Sequence, residues 1–151
     1  MKIEVKQNKD KYNGIYNLVL VAIEFIKKDT LVFKIKDYES SNKPTRYTIQ
    51  VAKNKHITEH TIISNLNHSC DPNVRIETDL LSIFSNRDIN PGEELTFFYP
   101  STEWEMKEPF KCQCNSKKCL DYIAGAKFLP FEVLDSYFLN KHIRLLILNV
   151  N

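Results

Sequence analysis

The four cysteines constrain this chain more than any other feature, because three of them fall within eight residues. Cys112, Cys114 and Cys119 form a C-x-C-x4-C pattern in a polar segment too short to bury them in a core. The fourth, Cys70, lies in a stretch from Asn65 to Asn73 dense in Asn, His, Ser, Asp and Pro, residues that favour turns by bonding side chain to backbone. In a reducing compartment four thiolates match one tetrahedral zinc ion in number. Unrelated thiols, or a pair of disulfides in a secreted chain, are the alternatives. A zinc ion with four thiolates carries a formal charge of about −2, and Lys107, Lys111, Lys117 and Lys118 surround the motif.

The chain has 151 residues, enough for one domain with one core. Its 42% hydrophobic and 26% charged residues fit a globular protein rather than a disordered one. The apolar run Leu18 to Ile23 is far shorter than the roughly 20 residues that span a bilayer, so no membrane association is expected. The first dozen residues lack the apolar run of a signal peptide, and the expected compartment is the cytosol, or the nucleus in a eukaryote. A net charge of +2 with interspersed signs does not imply a nucleic-acid partner. The glycines, Gly14, Gly92 and Gly125, lack the spacing of a dinucleotide or phosphate-binding loop.

Segments rich in β-branched and aromatic residues predict strands at Ile15 to Ala22, Thr30 to Ile35 and Tyr47 to Ala52. Asp37 to Pro44 reads as an exposed loop. Further short strands are expected at Val74 to Glu77, Leu80 to Ser85 and, after the turn at Pro91-Gly92, Glu94 to Tyr99. Thr102 and Glu105 have capping-box spacing, predicting a brief helix to about Glu108. Pro130 predicts the start of a terminal helix of about ten residues, with Phe131, Leu134, Tyr137 and Phe138 on one face. The apolar, basic stretch His142 to Leu148 is a candidate for packing on the domain or for a subunit contact. The whole is a mainly β domain.

Three motifs then occur in order: Asn67-His68-Ser69-Cys70-Asp71-Pro72-Asn73, Gly92-Glu93-Glu94-Leu95-Thr96-Phe97-Phe98-Tyr99, and the C-x-C-x4-C. Together they resemble the SET domain and post-SET tail of protein-lysine methyltransferases. The likeness is strong from Asn67 to about Ala124 and weaker before it, where residues 22–32 look like the family's second strand and following turn. It implies a SET domain over 1–110 with a variable insert at about 33–60, a post-SET tail over 111–124 and a C-terminal helical extension over 125–151. The implied fold is the β-clip, several small curved sheets around a knot-like crossing.

The resemblance also implies site residues. Asn67 and His68 would contact S-adenosylmethionine, with Tyr122 and Phe128 covering its adenine. Tyr99 would be the catalytic tyrosine, and Phe97, Phe98 and Trp104 would wall the substrate channel. Cys70, Cys112, Cys114 and Cys119 would hold a structural zinc ion. The implied activity is methylation of a lysine side chain in a protein or peptide. Two rival readings are an N-methyltransferase of a small amine or peptide and a catalytically silent SET-like interaction module.

The chain departs from the family pattern at several positions. The early Gly-x-Gly, whose backbone approaches the cofactor, aligns with Asn17-Leu18-Val19, with Gly14 three residues upstream. Close backbone approach normally needs the missing Cβ, so altered cofactor binding is expected. Phe98 replaces the usual Asp, and Asn115 and Asp121 stand where the tail usually has Gly, changing turns more than chemistry.

Overall fold

The computed structural model describes residues 1–9 and 16–150. Its strands are β1 (Ile3–Lys9), β2 (Tyr16–Ala22), β3 (Leu31–Lys34), β4 (Glu39–Ser41), β5 (Ile49–Ala52), β6 (Lys55–Thr58), β7 (Asn67–His68), β8 (Val74–Glu77), β9 (Ser82–Ser85), β10 (Thr96–Phe97), β11 (Phe110–Lys111) and β12 (Tyr122–Ile123). They form five small sheets among the described residues, so the expected mainly β architecture of small sheets is observed.

Each sheet is too small to stand alone, and the core is where they meet. β1 and β2 pair antiparallel, with Val5 opposite Leu20. β9 lies between β3 and β8, and the pairing of Ile76 with Ile83 places two fully buried side chains together. Along β8, Val74 and Ile76 are buried while Arg75 and Glu77 are partly exposed, the alternation of a strand with one face on the core. β6 lies between β4 and β5 and contributes Ile57, with Ile49 coming from β5. One cluster, rich in isoleucine and including Ile3, Leu20, Ile26, Ile89 and Leu95, joins all of these. Each such side chain contributes roughly 1.5–3 kcal/mol by leaving water.

Several expected elements take other forms. Ile15, the expected first residue of β2, and Gly14 lie outside the described residues. The strand expected over Glu94 to Tyr99 is shortened to β10, because the Asn73 side chain takes up the next backbone groups. It donates to the Glu94 carbonyl at 2.8 Å and accepts from the Thr96 amide at 2.9 Å. The loop at 37–44 is exposed as expected but contains β4.

The helix expected over 102–108 is absent. Backbone amides there are spent on distant partners: Trp104 on the Gln50 side chain, and Met106 on Ala124. Thr102 donates to the Tyr99 carbonyl, and Glu105 pairs with Lys127, so neither residue caps.

Beyond Pro130 the structure forms a single turn, α1 (Phe131–Leu134), and the ten-residue helix is α2 (Lys141–Val150). Of the predicted apolar face only Leu134 is fully buried; Tyr137 is half-buried, and Phe131 and Phe138 are exposed. Asn140 explains the displacement. Its carbonyl accepts from the amides of Ile143 and Arg144 to start α2, while its side chain binds Thr78, Ile76 and Ser101. The stretch His142 to Leu148 packs on the domain through Ile143 and Leu146, leaving Leu145 and Leu148 exposed.

Candidate active site and metal centre

Two motifs distant in sequence are brought together by β7 and β10, which run parallel with Asn67 opposite Thr96 and His68 opposite Phe97. The pairing continues as the Ser69 amide donates to the Phe97 carbonyl at 3.1 Å. The approach to β7 is set by Glu59, whose buried carboxylate accepts from the amides of Thr61, Ile62 and Ile63. Burial raises its pKa, but the Thr61 hydroxyl and these amides outweigh this and lower it. After Phe98 the chain turns through a 3₁₀ helix at Tyr99–Ser101.

Tyr99 faces back to the strand before β7, its hydroxyl donating to the Leu66 carbonyl at 3.2 Å. Burial first, and the nearby Glu103 charge second, push its phenol up to about 12, so it stays protonated at neutral pH. The Tyr99 amide donates to His68 Nδ1 at 3.2 Å. That bond requires Nδ1 to be unprotonated, so the neutral ring carries its proton on Nε2, which lies 3.3 Å from Cys70 Sγ and donates to it. Burial lowers the His68 pKa to about 4, keeping the ring neutral. His68 therefore links the tyrosine backbone to the cysteine cluster. Its ring centroid is 5.2 Å from that of Tyr99, and 5.7 Å from those of Phe98 and Phe110.

The cysteine cluster closes as expected. The sulfur atoms of Cys70, Cys112, Cys114 and Cys119 all lie within 4.8 Å of one another, and those of Cys70 and Cys112 are 3.9 Å apart. A tetrahedral zinc ion with Zn–S bonds of about 2.3 Å has sulfur–sulfur edges of about 3.8 Å, so the four residues fit this metal. The Leu120 amide also donates to Cys70 Sγ, at 3.4 Å, orienting that ligand from outside the cluster. β11 and β12 hold the tail together, and the Cys112 amide donates to the Asp121 carbonyl at 2.7 Å. Asn115 and Asp121 both adopt positive φ, 57° and 65°, so the turns usually made by Gly are retained by residues that tolerate this region.

Without metal, burial pushes the Cys70 thiol up to about 11 and raises Cys112 further. Burial also opposes ionisation of Cys114, but the amides of Cys70 and Ser116 and the neighbouring thiols bring it down to about 7. Metal uptake at neutral pH therefore releases protons.

The remaining expected site residues fall in different surroundings. Phe97 is buried with its ring centroid 4.8 Å from that of Tyr99. Phe98 is buried on the opposite side, stacked at 3.7 Å on Tyr137, and Trp104 packs into that same second cluster. The Asn67 side-chain amide donates to Glu94 Oε1 at 2.9 Å. Tyr122 and Phe128 are 59% and 55% exposed, and the Lys127 ammonium lies 5.5 Å from the Phe128 ring centroid. Residues 17–19 lie in the regular β1–β2 ladder, opposite Asn8, Gln7 and Lys6.

Sequence reasoning missed two contributors. Tyr137 donates to the Cys70 carbonyl at 2.6 Å, so the C-terminal segment braces the cysteine loop. Gly125 lets this segment pass close to the backbone at Trp104, since a Cβ there would lie 2.4 Å from the Trp104 carbonyl oxygen. A lone glycine after the tail was the only available signal for the second; nothing in the sequence marked the first.

A model of the SET domain matches residues 17–100, more than half of the chain. Among curated proteins, the methyltransferase flvH of Aspergillus flavus is 38% identical over 104 residues, which are 68% of this chain and 58% of that protein. The histone-lysine N-methyltransferase ASHH2 of Arabidopsis thaliana is 39% identical over 66 residues, 40% of this chain and 4% of that protein. The chain thus spans well under two thirds of the length of these relatives. Among solved structures, KRYPTONITE in complex with mCHG DNA and SAH superposes with a TM-score of 0.61 at 17% identity, over 81% of this chain and 29% of that one. The methyltransferase domain of human SETMAR superposes with a TM-score of 0.56 at 22% identity, over 83% and 59%. These structural likenesses speak for the fold, and the family model speaks for descent. The chain belongs to the SET-domain family, and its cysteine cluster fits a post-SET zinc site.

Proposed function

We propose that this chain transfers methyl groups from S-adenosylmethionine to the side-chain amine of a lysine in a protein or peptide. The observation that carries the reading is the crossing itself, where Tyr99, Asn67–His68 and the cysteine cluster converge. The SET domain would span 1–110 and the post-SET tail 111–124, with 125–151 as a helical extension. The bound cofactor would supply an electrophilic methyl group on a sulfonium.

The chain's own residues would do the rest. Tyr99, held by its bond to Leu66, would orient the amine for in-line attack, and positioning of this kind can remove much of a barrier. Phe97 would wall the lysine channel beside it, with Phe98 and Trp104 supporting the turn from behind. Asn67 and His68 would line the cofactor side, and Tyr122 and Phe128 would close over the adenine. An apolar channel also favours the neutral amine over the ammonium form of lysine.

The test is methyl transfer from labelled S-adenosylmethionine to lysine-bearing proteins and peptides. Tyr99→Phe should lower the rate by about 100-fold or more. Full activity in that variant would remove Tyr99 from its role. Methylation of a small amine is a second reading; the Aspergillus flavus relative is named only as a methyltransferase, which fits either. Calorimetry with S-adenosylmethionine separates both from a silent module, which would bind no cofactor.

A further inference from the structure

Glu103 is a half-buried carboxylate for which the fold provides an anchor but no cation. It follows Tyr99 by one turn of chain, its amide donating to the Tyr99 carbonyl at 2.9 Å. Residues four apart in such a turn share a face, and the Glu103 charge is felt at the Tyr99 hydroxyl. One oxygen is fixed, since Oε2 accepts from the Gln50 amide at 2.8 Å. Gln50 is fixed in turn: its Oε1 accepts from the Trp104 amide at 2.9 Å, and its Nε2 donates to the carbonyls of Ala52 and Lys53 at 3.2 Å. These bonds fix the position of the carboxylate, which is only partly buried.

A carboxylate partly withdrawn from water and held in place gains from a cationic partner, because shielding an unpaired charge is costly. No salt bridge among the described residues includes Glu103. Arg46 is close enough to Tyr99 to oppose the rise of its pKa, yet it makes no ion pair with Glu103.

Resting on the methyltransferase reading above, we propose that Glu103 receives the ammonium group of the substrate beside Tyr99 and takes a proton from it. In this step one N–H bond of the ammonium breaks and one O–H bond forms on Glu103. The electron pair stays on nitrogen and forms the new bond to the methyl carbon, while the pair of the broken carbon–sulfur bond stays with sulfur. Glu103 then returns its proton to solvent through its exposed edge.

Burial pushes the Glu103 carboxyl up to about 7, against the Gln50 amide and the Thr102 hydroxyl, which lower it. A proton acceptor poised near neutral pH is suited to this task. The ligand class is thus a primary ammonium, whether on a peptide lysine or a small amine. A glutamate that only held Gln50 in place would not discriminate an ammonium from an apolar analogue.

Glu103→Gln keeps an oxygen for the Gln50 amide and removes only the charge. Binding to the full chain, measured by calorimetry with S-adenosylhomocysteine present, should show wild type preferring a lysine peptide over its norleucine analogue by about tenfold or more. Glu103→Gln should lose that preference, and Glu103→Asp should recover part of it. A parallel arm with an aliphatic diamine identifies the source of the ammonium, since only a small-amine enzyme binds the diamine as tightly as the peptide. The acid limb of the rate profile near neutral pH should vanish in Glu103→Gln; Tyr99, Arg46, Thr102 and Gln50 are the groups that share its surroundings. An active wild type with unchanged preference and profile in Glu103→Gln overturns the role of Glu103 alone. If Glu103→Gln fails to fold, Glu103→Asp decides: discrimination and profile equal to wild type would also overturn it. A wild type that methylates no amine overturns the methyltransferase reading itself.

Discussion

The crossing and the C-terminal cap are each pinned by one buried asparagine, yet they are built on different principles. At the crossing, Asn73 stands in for strand backbone between Glu94 and Thr96, and around it nearly every contact is directional: His68 to Tyr99 and Cys70, Leu120 to Cys70, and Asn67 to Glu94. In the cap, Asn140 bonds Ile76, Thr78 and Ser101, but around it the contacts are apolar, with Leu134, Leu139 and Ile143 packed on Phe98. The crossing is specified by residue types that only one geometry satisfies. The cap is specified by shape, which many sequences meet.

On that contrast, the largest effect should come from the cysteine cluster. Cys114→Ser should lower zinc from about one ion per chain to well below that, and lower the thermal midpoint by roughly 10 °C or more. Zinc uptake by the apo protein at neutral pH should also release protons, because burial holds the Cys70 and Cys112 thiols protonated. A Cys114→Ser protein with full metal content and unchanged midpoint would show that the crossing does not depend on the cluster.

Next should come Asn140→Ala, which removes the side-chain partner of the Thr78 amide and of the Ile76 carbonyl, while the Ser101 carbonyl keeps the backbone amide of residue 140. Leaving buried groups unpaired costs about 1–3 kcal/mol each where water cannot reach them, so a loss of about 3–4 kcal/mol in denaturant unfolding is expected. Zinc content should be unchanged. Coupled loss of zinc would mean that the cap and the crossing are one unit, joined through Tyr137 and Cys70.

The same contrast explains what was legible in the sequence. The cysteine cluster was legible because its spacing points to a shared site, and the sulfur atoms of Cys70, Cys112, Cys114 and Cys119 do lie together; the knot-like crossing was legible only through the resemblance of three polar motifs to the SET domain. α2 was misplaced because the apolar spacing of Phe131, Leu134, Tyr137 and Phe138 fits a helix equally well, and the residue that decides, Asn140, acts through contacts 62 and 64 positions away. The helix expected after Thr102 failed for a similar reason, since Gln50 takes the Trp104 amide from 54 positions away. Glu103 had no motif at all; its interest lies in the missing partner, which only a folded structure reveals.

A smaller effect should separate the regions by pH. His142 donates from Nε2 to the Thr102 carbonyl at 2.8 Å, and its buried Nδ1 has no partner, so a second proton there would be stranded. Burial lowers its pKa despite the Thr102 carbonyl and Asp79; His56 is likewise lowered by burial and then by the His142 charge. The folded values lie below the unfolded one of about 6.5. The unfolded state therefore binds more protons, and the contribution is complete above about pH 6.5 and is lost as pH falls below it. Unfolding free energy should drop between about pH 7 and 5, by at most about 1.4 kcal/mol per pH unit for one group. His142→Gln should flatten this slope in part, because His56 and His68 remain. An identical slope in the variant would place the acid sensitivity at His68 in the crossing or at His56 in β6 rather than in the cap.

The smallest effect should be that of Asp121→Gly in the tail turn, where chemistry and backbone shape can be told apart. Asp121 sits at φ 65°, and its carbonyl accepts from the Cys112 amide at 2.7 Å. Asp121→Gly removes left-handed strain but adds freedom to the unfolded chain, two terms of similar size, so stability should change by less than about 1 kcal/mol. Asp121→Val keeps the same backbone bond available but puts a β-branched side chain in a region it avoids, and should cost about 1–3 kcal/mol. Thermal midpoints of the two variants, with zinc content measured on each, make the comparison. If both are tolerated equally, the turn is free to relax and the metal alone shapes the tail. If Val is poor and Gly is not, backbone geometry prearranges Cys112 before any metal arrives, and directional specification at the crossing extends to its last residue.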